Sequence, residues 1–354
     1  MADTANLSDT RLVALDWGTS SLRAFRLGAH GQVLEQRNRL WGIMNLPPAP
    51  AGQADSTEPG AAFERALQDA CGDWLATLPS VPVLACGMVG SAQGWREAQY
   101  LDTPTSLDDL ARGLTVVQRG SGTPLHIVPG LLQRTGLPNV MRGEETQVLG
   151  VLADTSVASP GPVLVGLPGT HSKWVVAQGD SARRSIQGFH TFMTGEVFAA
   201  LRGHTILGKT MQIPAAPDDA AFAQGLQVAR GSDAALGLLS HIFSTRTLGL
   251  TGALPATAQA DYLSGILIGH EIASLARLHP PTGAAPIPLV LCGEADLCRR
   301  YAIALQAYGF TQPTIAAQAT VTGLWQIAIA AGLAAGLPAA TDAERTPFPR
   351  SHAA

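Results

Sequence analysis

The sequence predicts an α/β protein of two lobes, each with a mixed sheet flanked by helices. Three observations carry that reading. The length of 354 residues suits two domains at roughly 100 to 200 residues each. A meander of three short strands with tight turns opens the chain (residues 11–40) and returns at residues 162–192. Laid over one another, the two copies match Gly18 with Gly169, Thr19 with Thr170 and Ser21 with Ser172 at one constant offset of 151 residues. Two diverged copies of one unit are the simplest account, with chance similarity between polar turns as the alternative. Outside the meanders, apolar strands alternate with amphipathic helices, as an α/β chain requires.

In order along the chain, RLVALD, LRAFRL and VLEQRNRL are the strands of the first meander, separated by turn residues. Residues 45–60, rich in Pro, Gly and Ala without a period, read as a surface loop. AAFERALQDACGDWLATL follows as an amphipathic helix. VPVLACGMVG, at 81–90, is a buried strand ending in glycines, the place where α/β proteins hold ligands. PLHIVPGLL (124–132) is a further strand, and NVMRGEETQVLGVLA a helix whose Val140, Val148, Leu149 and Leu152 form one apolar face. After the second meander, with its GDSA turn, come a helix TGEVFAALRGHTIL, mostly helical stretches, the strand IPLVLCG (287–293) and a helix EADLCRRYAIALQAYG. The last helix, 321–337, is apolar on nearly every face and is expected to pack between other elements; the tail after 340 reads as frayed. The expected division is a first lobe of 1–141, completed by helix 321–337, and a second lobe of 142–320.

Composition excludes several function classes. Lysine and arginine total 23 against 27 Asp and Glu, a net charge of -4 without blocks of one sign, so nucleic acid and anionic membranes are not expected partners. Charged residues make up 14% and hydrophobic residues 46%, against about 25% charged in ordinary soluble domains; the chain is globular, not disordered. Only Lys173 and Lys209 are lysines. Cys71, Cys86, Cys292 and Cys298 have no CxxC or metal-ligand spacing and read as reduced packing residues. MADTANLSDTR is unlike a signal peptide, and the longest apolar run, Leu324–Leu337, falls short of the roughly 18 to 20 residues that span a bilayer. A soluble cytoplasmic protein is expected, with a homodimer among the options for its assembly.

In DWGTSSLR, Asp16 ends a strand. Gly18, Thr19, Ser20 and Ser21 then make a turn whose N–H groups and hydroxyls suit an anion, and a carboxylate at its edge suits Mg²⁺ held mostly through waters. LPGTHSK repeats this with Gly169, Thr170, His171, Ser172 and Lys173. A polar hairpin explains either turn alone; a pair is what clamps a nucleotide's phosphates. Arg23 and Lys173 suit charge neutralisation or pairing with a structural carboxylate. In LCGEADL, Gly293 and Glu294 stand at a helix start where a base or ribose can lie, although a plain βα turn has the same pattern. In MRGEETQ, Glu144 and Glu145 occupy a helix's first turn, where the dipole favours acids whatever the function. Successive helix positions differ by about 100°, so one of the two is expected to face a cleft.

The order DWGTSSLR, MRGEETQVLGVL, LPGTHSKW, LCGEADLCRRY, VTGLWQIAIAAGL resembles the phosphate-1, connect-1, phosphate-2, adenosine and connect-2 segments of the sugar kinase, Hsp70 and actin superfamily. Within it, GMVGSAQGWREAQY, PGTHSKW and GFHTFMTGEVFAAL resemble the 2-dehydro-3-deoxygalactonokinase family. The resemblance implies two actin-like, ribonuclease H-like lobes with a nucleotide in the cleft between them. It implies ATP and Mg²⁺, and phosphorylation of the C6 hydroxyl of a 2-keto-3-deoxy sugar acid in galactonate catabolism. It further implies Asp16 as metal organiser and Glu144 as base, with Glu145 and Asp16 as fallbacks; many sugar kinases use an Asp as base, and a Glu pair departs from that pattern.

A substrate with a carboxylate, a ketone and several hydroxyls needs a cation and hydrogen-bonding side chains. Ser91, Gln93, Trp95, Glu97 and Arg142 are the candidates from the first lobe; Thr194 and Glu196 are those from the second. Trp95 also reads as packing, Glu196 as a helix N-terminal charge, and His171 as a turn residue; His190 and His204 read as structural. RGEETQ is similar to a segment of exopolyphosphatases of the same fold, so a phosphatase is the competing enzyme, and a nucleotide-binding sensor or scaffold without turnover the competing non-enzyme.

Overall fold

A computed structural model describes residues 7–49, 58, 60–120, 122–154, 161–179, 184–281 and 287–334. The chain divides into two compact units: Met1–Ala98, Leu114–Val128 and Leu324–Ala354 contribute to one, Gln99–Gly113 and Pro129–Gly323 to the other.

The first unit is built on a six-stranded sheet in the order Val33–Arg39, Leu22–Leu27, Leu12–Trp17, Val83–Cys86, Gly122–Ile127, Thr115–Arg119. The meander is antiparallel throughout, and Leu12–Trp17 then runs parallel to Val83–Cys86, which runs parallel to Gly122–Ile127. Strands Leu12–Trp17 and Val83–Cys86 are almost wholly buried, which their near-continuous apolar sequences anticipate. Phe63, Ala66, Leu67, Ala70 and Trp74 of helix Ala61–Thr77 join the same core. Much of the expected 45–60 loop lies outside the described residues.

The second unit repeats this plan. Its six-stranded sheet runs Thr314–Ile315, Leu289–Leu291, Pro162–Leu167, Ser172–Gln178, Ser185–Phe192, Thr105–Ser106. Again the meander is antiparallel, and its first strand runs parallel to a strand brought in by a distant helix-linked segment. Five strands keep the same order in both sheets, with the sixth at opposite edges, and this shared part supports the duplication expected from the offset of the two GT turns. Helices Asp219–Arg230 and Gln259–Leu278 pack closely because Gly225 and Gly265 face each other's backbones: a Cβ at either would stand 2.1 Å from a carbonyl oxygen of the other helix. Helices Glu144–Ala153 and Ala319–Ala330 cross in the same way, with Gly150 against the Ala319 carbonyl and Gly323 against that of Thr146.

Three expectations need correction. The strand expected at 124–132 is two: Gly122–Ile127 belongs to the first unit's sheet, and Gly130–Gln133 to a three-stranded sheet with Tyr100–Asp102 and Asn139–Met141. Pro129, which has no N–H to give a ladder, stands at the break. That small sheet carries residues 99–113 and 129–141 into the second unit, so the contacts do not divide the chain at 141. Val140 is a half-exposed strand residue, not part of a helix face. The helix starts at Glu144 because Gly143, at φ 105°, turns the chain between strand and helix. The GDSA turn lies mostly outside the described residues, as does the tail after 334.

Candidate active site

In the first unit, Asp16 stands opposite Arg23, and Trp17 opposite Leu22; the four residues between the last pair are the Gly18–Ser21 turn. It closes by a Gly18 N–H to Ser21 carbonyl bond of 3.0 Å, and Thr19 and Ser20 are exposed. The loop after the third strand braces it: Ile43 N–H donates to the Gly18 carbonyl and Met44 N–H to that of Thr19, both at 3.1 Å. Gly42 makes that approach possible, since a Cβ there would lie 2.2 Å from the Thr19 oxygen. Arg23 pairs with the Asp16 carboxylate. The Arg23 side chain is 45% exposed, and an ion pair so exposed contributes about 0–1 kcal/mol, so Asp16 exchanges this partner at little cost.

Gly87 follows strand Val83–Cys86 at φ 94°, where a Cβ would meet the Trp17 carbonyl at 2.8 Å. The chain then runs through Ser91, buried with no partner for its hydroxyl among the described residues, to the exposed Gln93 and Glu97. The Trp95 ring stacks on Phe63 at 5.9 Å and meets Trp17 edge-on at 6.0 Å. Packing therefore accounts for most of this ring; its remaining edge borders a cavity of about 450 Å³ with Glu64, Gln68 and Arg119.

In the second unit, the Gly169–Ser172 turn follows strand Pro162–Leu167. Thr170 and His171 are exposed, while Ser172 and Lys173 are buried. Helix Thr194–His204 begins against this turn: Glu196 N–H donates to the Thr170 carbonyl at 2.9 Å, and a Cβ at Gly195 would lie 2.4 Å from the Gly169 oxygen. The His171 ring and the Glu196 carboxylate bond to each other. Lys173 reaches Glu144 at 3.3 Å, with 5% of the lysine side chain exposed. Such a lysine is costly to leave unpaired, about 3–5 kcal/mol, so the pair is a fixed feature of the site.

The two glutamates part as helix geometry requires. Glu144 keeps a quarter of its side chain exposed and accepts the Arg142 N–H at 3.0 Å. Glu145 is fully buried and accepts the Gly143 N–H at 2.7 Å and the Thr146 hydroxyl at 3.1 Å. Burial, reinforced by the Glu144 charge, pushes the Glu145 carboxyl up to about 8. Glu144 is thus the accessible carboxylate and Glu145 a buried support. Arg142, expected in the first lobe, belongs to the second unit; it is buried with its guanidinium 4.3 Å from the centre of the Tyr100 ring.

Gly293 lies beside the second turn, where a Cβ would stand 3.2 Å from the Pro168 carbonyl. Glu294 precedes helix Ala295–Ala307 as its N-cap, accepting the Asp296 N–H at 3.1 Å and the Leu297 N–H at 2.9 Å. Those backbone bonds hold its carboxyl below the ordinary glutamate range. Between turn and helix lies a cavity of about 240 Å³, walled by Gly169, Thr194, Phe198, Leu267, Glu294 and Tyr301 among others.

Sequence reasoning missed Tyr301, which walls this cavity, and Glu271, which accepts hydrogen bonds from two of its walls. Glu271 is 3% exposed on helix Gln259–Leu278. It accepts the Trp174 Nε1–H at 2.7 Å, the Tyr301 hydroxyl at 2.8 Å and the Thr194 hydroxyl. Its one available signal was a lone carboxylate inside the apolar run YLSGILIGHEIASL.

Twin sheets, each with a GT hairpin and a carboxylate beside it, suit an enzyme that handles phosphate. The chain matches the family described as 2-keto-3-deoxy-galactonokinase over residues 16–327. It is 36% identical over 316 residues to a protein of Rhizobium meliloti (strain 1021) provisionally named 2-dehydro-3-deoxygalactonokinase, covering 87% of this chain and 93% of that one. It is 34% identical over 300 residues to the 2-dehydro-3-deoxygalactonokinase of Escherichia coli (strain K12), covering 84% and 90%. A crystal structure from Sinorhizobium meliloti, provisionally assigned the same activity, superposes with a TM-score of 0.74 at 34% identity, covering 90% of this chain and 98% of that one. The chain belongs to the 2-keto-3-deoxy-galactonokinase family.

Proposed function

We propose that this chain transfers the γ-phosphoryl group of ATP to the C6 hydroxyl of 2-dehydro-3-deoxy-D-galactonate, giving the 6-phosphate. The observation that carries it is the family match over residues 16–327, which takes in both GT turns, Glu144 and Glu294. The cavity of about 240 Å³ beside Gly169 and Glu294 is the adenosine site in this reading, with Gly293 and Glu294 at the nucleoside and Gly169, Thr170, His171 and Ser172 at the phosphates.

Phosphoryl transfer needs positioning and charge neutralisation more than covalent chemistry from the protein. Glu144 accepts the proton of the C6 hydroxyl as its oxygen bonds to the γ-phosphorus and ADP leaves; Lys173 holds the Glu144 carboxylate at 3.3 Å. In the first unit, Gly18, Thr19 and Ser20 carry exposed donors, and Arg23 a cation, of the kind that suits phosphate. Ser91, Gln93, Trp95, Glu97, Arg142, Thr194 and Glu196 are the sugar-acid candidates. Of these, the Ser91 hydroxyl is a buried group still lacking a partner among the described residues.

Asp16 would hold Mg²⁺. Its carboxylate has an exposed partner, Arg23, that it can exchange, and an ion that keeps most of its waters needs one carboxylate. Bound there, Mg²⁺ would neutralise charge on the phosphate chain. Among the described residues no helix is long and apolar enough to cross a membrane, and the four buried cysteines, none of them in a disulfide, suit the reducing cytoplasm.

The test is ADP release from Mg·ATP with 2-keto-3-deoxy-galactonate, 2-keto-3-deoxy-gluconate, simple hexoses, and water alone. Turnover that depends on a keto-deoxy sugar acid supports the kinase and identifies the preferred epimer. ADP release without any sugar acid would replace it with a hydrolase, and silence throughout with a sensor or scaffold.

A further inference from the structure

Glu271 is a buried carboxylate with no cation paired to it among the described residues, on a helix that is otherwise mostly apolar. Such a group is expensive to bury unless hydrogen bonds replace its water. Three do, from Trp174, Tyr301 and Thr194, and each donor has a place in the candidate site. Trp174 follows Lys173 directly; Thr194 and Tyr301 wall the 240 Å³ cavity. The Tyr301 oxygen also lies 2.8 Å from the hydroxyl of Ser172, in the second phosphate turn.

The proton count fixes directions along this chain. Tyr301 donates its single proton to Glu271, so Ser172 must donate to Tyr301. Ser172 is 1% exposed, so its hydroxyl is turned inward and engaged. The phosphate-binding capacity of this turn therefore rests on its backbone N–H groups and on Thr170, and the side chain of Ser172 anchors the turn from below.

We propose that Glu271 is a positioning residue for phosphoryl transfer: through Tyr301 and Ser172 it holds the Gly169–Ser172 turn in the shape that receives the nucleotide's phosphates, and through Thr194 it ties the start of helix Thr194–His204 to the same carboxylate. The inference rests on the reading of this turn as a phosphate site.

Tyr301→Phe tests it, since the ring keeps its packing 6.3 Å from Trp174 and loses only the two hydrogen bonds. ATP and ADP should bind about tenfold more weakly, the size of one lost hydrogen bond to a charged group, and adenosine within about twofold of the parent. The KM for ATP should rise with that for the sugar acid unchanged. Ser172→Ala should give the same pattern, and the double variant Tyr301→Phe/Ser172→Ala no further loss, because both remove one linkage. Glu271→Gln, which keeps the volume but loses acceptor capacity, should lower ATP affinity at least as much. Additive losses in the double variant, or equal losses for adenosine and ATP, would overturn the proposal, as would unchanged ATP affinity in Tyr301→Phe. Ser264→Trp separates this from the underlying reading. It fills the 240 Å³ cavity, and undiminished adenosine binding there would mean that the nucleotide sits elsewhere, whatever Glu271 does.

Discussion

The two GT turns share a scaffold and differ in what holds them. Gly18–Ser21 is braced by main chain, through Ile43, Met44 and the close approach of Gly42; its side chains point to solvent, and its neighbouring ion pair is exposed. Gly169–Ser172 is held by side chains as well. Ser172 bonds to Tyr301, His171 to Glu196, and Lys173 to Glu144, over the buried carboxylate of Glu271. A turn fixed on both sides gives up less freedom when it binds phosphate, so the second should govern nucleotide affinity. A turn with free hydroxyls and an exchangeable Asp16 should act more on turnover.

The largest effect should come from the carboxylate beside the fixed turn. Glu144→Gln should lower kcat by about 10² to 10⁴-fold, the usual worth of a general base, with ADP affinity little changed by titration. Because the substitution leaves Lys173 buried without its anionic partner, a melting curve must accompany the kinetics; a folded variant with near-normal turnover would reassign the base. Next are the two bracing glycines, where an added Cβ meets backbone carbonyls at 2.2 and 2.4 Å that cannot swing away. Gly195→Ala should weaken nucleotide binding by about tenfold or more, while Gly42→Ala should lower kcat more than affinity, each near the 1–3 kcal/mol of a forced overpacking. Identical kinetic signatures would erase the distinction between the turns.

Thr170→Ala should be milder: a few-fold loss of nucleotide affinity, larger than any change for the sugar acid, measured by separate titrations. The last effect is on stability alone. Glu145 sits about 8 in the folded chain against an ordinary 4.5, so the folded state binds the extra proton and stability falls as pH rises between those values. Glu145→Gln should remove that slope, raising the melting temperature progressively over this window and leaving it unchanged near pH 4.5 or below. A parallel shift at every pH would mean that the glutamate's charge state is not what the helix start resists.

Both hairpins were legible in the sequence because tight turns between apolar strands need glycine and small polar residues, which leave a local pattern. So were Glu144 and Glu145, whose separation into one accessible and one buried group follows from the rotation between successive helix positions. What was not legible depends on distance along the chain. Glu271 lies 97 residues from Trp174 and 77 from Thr194, and only the packing of helix Gln259–Leu278 under the sheet brings them together. Arg142 and Val140 were misplaced for a local reason: Gly143 ends the extended segment abruptly, and hydrophobic periodicity reads straight through such a corner. The division into units was hidden too, since residues 99–113 and 129–141 carry no shift in composition as they join the second sheet system.

Helix Ala319–Ala330 starts within the second unit and finishes within the first, where Trp325 fills the space left open by Gly31 and Leu324, Ile327 and Ala328 are buried. During synthesis the ribosome therefore delivers all of the second unit before the segment that completes the first. The first unit's sheet, although made before the second unit, must wait with an uncovered apolar patch until residues 324–328 have emerged, and in that interval it is open to chaperones and to aggregation.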